Sequence, residues 1–69
     1  MKYIRRMRDL REDFDYTQDY VAHILGTSKT MYARYERGTH ELSIHHLLSL
    51  CNLYNVSADY LLGLSDNKR

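Results

Sequence analysis

A chain of 69 residues has room for one small domain, and a domain of this size buries only about 60% of its unfolded surface, so its stability margin is thin. The single cysteine, Cys51, excludes an internal disulfide and suits a reducing compartment, so a cytoplasmic location is expected, and no apolar run approaches the roughly 18 residues of a membrane span. A net charge of +1 does not by itself point to nucleic acid; residues 26–40, however, hold Lys29, Arg34, Arg37 and His40 against Glu36 alone, which fits either a solvated helix face or an electrostatic footprint confined to one side.

With no proline and only three glycines, the chain favours short helices over a sheet. The first helix is predicted from about Lys2 to Asp13, with Ile4, Met7, Leu10 and Phe14 as its inner stripe and Arg5, Arg6, Arg8, Asp9 and Glu12 on its outer faces. The chain then turns through Asp15, a residue that tolerates a left-handed backbone. Thr17 caps a second helix, Gln18 to Leu25, with Val21, Ala22 and Leu25 inward, and Gly26 ends it. Ser28 caps a third helix, Lys29 to Arg37, which Gly38 closes in the same way. Ser43 caps a fourth, Ile44 to Tyr54, with Ile44, Leu47, Leu50, Cys51 and Tyr54 inward and Asn55 at its left-handed end. Ser57 begins a final short helix through Leu62, closed by Gly63. The domain is expected over residues 1–66, with 67–69 as a frayed tail.

The second and third helices meet the physical requirements of a helix-turn-helix. Only Thr27 and Ser28 separate the cap glycine from the third helix, so the two helices must cross steeply. Ala22 provides the small residue such a crossing needs, and Gly26 accepts the positive φ of the turn. Tyr32 and Tyr35 are spaced to anchor the third helix inward. With Tyr32, Tyr35 and Glu36 turned in, Lys29, Thr30, Ala33, Arg34 and Arg37 are left outside, a set that could enter a DNA major groove.

The stretch TQDYVAHILGTSKTMYARYERG resembles the DNA-binding domain of the lambda-repressor-like, Cro/CI (Xre-type) helix-turn-helix regulators, on Gln18, Ala22, Gly26, Ser28 and the run RYERG from Arg34 to Gly38. LLSLCNLYNVSADYLLGLSD is similar to that family's fourth and fifth helices, so the resemblance covers nearly the whole chain. It implies an all-α, compact five-helix fold and base contacts from Lys29, Thr30 and Arg34, with Met31 or Ala33 against a thymine methyl. Arg34 could instead meet a phosphate or pair with Glu36 or Glu41. Thr17, Gln18 and Ser28 match the backbone-gripping positions, and Arg37 and His40 would touch phosphate beyond the third helix. Glu36 is implied to pair with Arg11 and so tie the first helix to the third. The chain departs from the family's pattern at Tyr32, where Ile or Val is usual, at Asp15 and at Cys51, which reads as a small buried hydrophobe.

Four histidines lack the i, i+4 spacing of a helical zinc pair, and one cysteine is too few for a cysteine-rich site. No catalytic residue, cofactor, metal or small-molecule ligand is expected, and an enzyme is not. The expected function is sequence-specific binding of a double-stranded DNA operator by a transcriptional regulator, as a repressor. A homodimer on DNA would form through the C-terminal region of Tyr60, Leu61, Leu62 and Leu64, or some of these pack under the first helix. The alternative is a protein-interaction module, an antitoxin or adaptor, on the same fold.

Overall fold

A computed structural model describes residues 2–69. Its described residues form five α-helices: α1 (Lys2–Asp13), α2 (Gln18–Leu25), α3 (Lys29–Arg37), α4 (Ile44–Tyr54) and α5 (Ala58–Leu62). Their boundaries are local chemistry. Thr17, Ser28, Ser43 and Ser57 sit in extended backbone, and each hydroxyl oxygen accepts a hydrogen bond from the amide three residues on, satisfying a donor the helix leaves open. Asn55 ends α4 with φ 55°, and Asp15 turns the chain after α1 with φ 57°. Gly26 ends α2 at φ 73° in a turn exposed enough that a Cβ would meet no neighbour within 4 Å, so backbone conformation alone demands glycine there. At Gly38 both constraints act: φ is 76°, and a Cβ would stand 2.8 Å from Ile4 Cδ1.

The core gathers Met7 and Leu10 of α1, Val21, Ala22 and Leu25 of α2, Tyr32 and Tyr35 of α3, Leu47, Leu50 and Tyr54 of α4, and Leu61 of α5. Three apolar positions fall elsewhere than their periodicity suggests. On α1 the inward stripe starts at Tyr3, and Ile4 is only half-buried. Phe14 lies beyond the last helical residue and is 44% exposed, its ring resting against Tyr16 and Tyr54 at centroid distances of 5.6 and 5.1 Å. Ile44 is 69% exposed because it opens the first turn of α4, before that helix reaches the core at Leu47.

Arg6 also departs from its expected outer position. Its guanidinium lies 4.2 Å over the Tyr60 ring and donates to the carbonyls of Tyr60 and Ser65 and to the Asp66 carboxylate, the last at 2.8 Å. That side chain therefore holds α1 to α5 and to the turn that follows. Ser57 N donates to Lys68 O at 2.7 Å and Asn67 N donates to Ser65 Oγ at 3.1 Å, so residues 67–69 are tied at two points. Leu61 is fully buried, whereas Leu62 and Leu64 remain exposed.

Candidate nucleic-acid interface

Helices α2 and α3 pack against each other, and Ala22 of α2 is buried in the core. Tyr32, Tyr35 and Glu36 fill the inner side of α3, all buried. Tyr32 and Tyr35 meet edge to face, with centroids 6.4 Å apart. The Tyr35 hydroxyl bonds His46 Nδ1 of α4 at 2.8 Å. Both anchors thus satisfy their hydroxyls while their rings pack in the core.

Glu36 is the centre of the site. Its Oε2 accepts from Arg11 Nε at 2.7 Å and from the Tyr32 hydroxyl at 2.5 Å. Its Oε1 accepts from Arg11 Nη2 and from Gln18 Nε2, both at 3.1 Å. Two donors reach each oxygen, from α1, α2 and α3 together. Arg11 also donates from Nη1 to the Tyr16 carbonyl at 3.0 Å, across the α1–α2 turn. Burial pushes the Glu36 carboxyl up, but the hydrogen bonds from Arg11, Tyr32 and Gln18 outweigh it and hold the group below the usual carboxylate range. The same hydrogen bond from the other side raises Arg11. Burial and the bond to Glu36 push the Tyr32 phenol far up, so it stays a donor at any physiological pH. The Tyr54 hydroxyl, by contrast, is buried without a protein partner.

The outer side of α3 presents Lys29, Thr30, Arg34 and Arg37, all exposed. None of the three cations on it forms an ion pair among the described residues; Arg34 pairs with neither Glu36 nor Glu41. Ala33 is half-buried, and Met31 packs partly against the core. Thr17 and Ser28 accept capping bonds from Tyr20 N and Met31 N at 3.0 and 3.1 Å, and each hydroxyl keeps its proton free to donate outward. Gln18 faces two ways: one amide hydrogen is committed to Glu36 and the other is available. His40 is exposed, its ring 5.8 Å from that of Tyr35. Arg37 lines one open cleft of about 310 Å³ with Gln18, Arg8, Arg11, Ala33 and Glu36, so it shares a side with the α2 N-terminus. The pattern of α1 contained no sign that Arg8 would join this group.

Cys51 is half-buried, and burial pushes its thiol up, away from the thiolate form. Among the described residues no three His, Cys, Asp or Glu side chains are grouped to hold a metal. No helix is long and apolar enough to cross a membrane.

Two short helices joined at a glycine turn, the second fastened inward and cationic outward, define a helix-turn-helix, a fold that presents one helix to a nucleic-acid groove. A helix-turn-helix family model matches residues 7–61, and the chain belongs to that family, as its resemblance to the Cro/CI regulators implied. It is 37% identical over 65 residues to the uncharacterized HTH-type transcriptional regulator YobD of Bacillus subtilis, covering 94% of this chain and 58% of that protein. It is 41% identical over 59 residues to the HTH-type transcriptional regulator ImmR of the same organism, covering 86% of this chain and 46% of that one. The chain thus spans about half the length of these curated relatives. Among solved structures, the P22 c2 repressor in complex with a synthetic operator superposes with a TM-score of 0.79 at 26% identity, over 88% of this chain and 92% of that chain. The all-α, five-helix fold is therefore that of the phage repressor DNA-binding domains.

Proposed function

We propose that this domain binds double-stranded DNA sequence-specifically and regulates transcription from an operator, as a repressor. The observation that carries this reading is the exposed, unpaired cationic face of α3 on a helix whose opposite side is anchored through Tyr32, Tyr35 and Glu36. In this reading α3 lies in the major groove and Lys29, Thr30 and Arg34 reach base edges, with Arg34 able to fork onto guanine O6 and N7. Thr17, Gln18, Ser28, Arg37 and His40 meet phosphates; the free hydroxyl protons and the second amide hydrogen supply neutral donors, and the α2 N-terminus favours an anion. The domain spans residues 1–66, works in the cytoplasm and acts by binding rather than by catalysis.

One recognition helix covers too few base pairs for useful specificity, so the active form is a two-fold dimer reading half-sites about 34 Å apart. Leu62 and Leu64 are exposed, and Leu62 shares a cleft with Ile44, so they provide apolar surface for that contact in the C-terminal region. Selection of bound sites from random duplex DNA tests the whole reading: a palindromic consensus with fixed spacing is expected. Absence of any enriched sequence would overturn it and favour a protein-interaction module on the same fold.

A further inference from the structure

The cleft shared by α1, the start of α2 and α3 has more positive charge than the recognition face requires. Arg8, Arg11 and Arg37 line it against a single carboxylate, Glu36. That carboxylate is already covered: Arg11 pairs with it through two nitrogens, and Tyr32 and Gln18 occupy its remaining acceptor positions. Its negative charge is therefore neutralised where it stands, and the cleft presents the guanidinium groups of Arg8 and Arg37 to whatever enters. Arg37 has no ion-pair partner among the described residues. Arg8 has only Glu12, 3.6 Å away, in a pair whose side chains are 61% and 55% exposed. Such a pair is weak and leaves the guanidinium free to swing. Gln18 lines the same cleft, its amide fixed by Glu36 with one N–H to spare. Two guanidinium groups and an oriented amide, brought to one cleft by three helices, suit a tetrahedral oxyanion.

We propose that this cleft seats one backbone phosphate of the duplex, and that Arg8 of α1 is a DNA-binding residue acting with Arg37 and Gln18. The proposal rests on the DNA-binding reading above and extends the phosphate grip from the helix-turn-helix onto the first helix. Arg5 is the internal control. It lies on the same helix, is 82% exposed and pairs with Asp9 at 3.5 Å, but does not line the cleft.

The test is duplex binding by fluorescence anisotropy along a KCl series, with the intact chain and its Arg8→Gln and Arg5→Gln variants, on a random-sequence duplex and on the selected site. One lost phosphate contact makes the fall of log K with log salt shallower by about 0.9, which is roughly an eightfold loss of affinity at about 0.1 M salt. That loss is expected for Arg8→Gln on both duplexes alike, while Arg5→Gln keeps the wild-type slope. A wild-type slope in Arg8→Gln, or an equal loss in both variants, would overturn the proposal and leave the DNA-binding reading intact. Failure of the unsubstituted chain to bind any duplex would overturn both.

Discussion

Removing the Tyr32 hydroxyl isolates the polar part of what holds the recognition helix. Tyr32 is fully buried, so Tyr32→Phe keeps the ring and its packing and deletes only the donor to Glu36 Oε2. That oxygen then retains one donor, Arg11 Nε, on a carboxylate side chain that is only 4% exposed. A hydrogen bond to a charged group contributes about 1.5–3 kcal/mol, so a loss near 2 kcal/mol is expected. In a domain of this size that lowers Tm by roughly 10 °C. Tyr54→Phe is the matched comparison, since it removes an equally buried hydroxyl that has no protein partner, and it is expected to be neutral or mildly stabilising. Urea denaturation of the three proteins side by side measures both, with the midpoint moving and the m-value constant. If Tyr32→Phe shifted stability by less than about 0.5 kcal/mol, or Tyr54→Phe cost as much, the hydroxyl bond would not be what secures α3.

The remaining predictions use the same frame. The Glu36 carboxyl lies lower in the folded chain than its ordinary value of 4.5, so its stabilisation is complete above that pH and drains away as the pH falls below it through the folded value. Glu36→Gln should lose about 3 kcal/mol at neutral pH and much of that acid slope; a slope that survives the substitution would assign acid sensitivity to other groups. Arg34→Ala should weaken operator binding by about 1–3 kcal/mol and blur one base position, whereas Arg37→Ala should weaken binding to all duplexes alike and flatten the salt dependence, a contrast read by titrating matched and scrambled sites. Arg6→Ala removes the charged donor to the Tyr60 and Ser65 carbonyls, so amide hydrogen exchange should accelerate in α5 and residues 63–66 before the rest of the domain. Equal acceleration throughout would mean that this end does not open as a separate unit.

The boundaries of α2 to α5 were legible because each depends on a few adjacent residues: a Ser or Thr in extended backbone at the start, a Gly or Asn with positive φ at the end. The inward side of α3 was legible too, since Tyr32, Tyr35 and Glu36 share one face at helical spacing. Periodicity falters where it meets helix ends. Phe14 and Ile44 continue a stripe in the sequence, but one lies past the last turn of α1 and the other precedes the point where α4 enters the core. Arg6 was unreadable for another reason: two of its acceptors are backbone carbonyls, at Tyr60 and Ser65, and a carbonyl carries no sequence signal. Arg8 has the same surface pattern as Arg5, and only the packing of α1 along α3 separates them.

The tyrosine at position 32 sharpens how reading and folding are divided in α3. An aliphatic residue there would leave Glu36 with donors from Arg11 and Gln18 alone. The tyrosine adds both ring volume to the core and a further donor to the carboxylate, so the helix is oriented by a polar contact as well as by packing. Every member of that arrangement lies on the inner side or on another helix. Lys29, Thr30 and Arg34 take no part in it: all are exposed, and neither cation is ion-paired. Substitution at exposed, uncoupled positions changes stability by no more than about 0.5 kcal/mol. The outer face can therefore be rewritten without disturbing the frame that aims it. Variants at positions 29, 30 and 34 should unfold at wild-type urea concentrations while selecting different duplex sequences, and a loss of stability that tracked each change of specificity would contradict the separation.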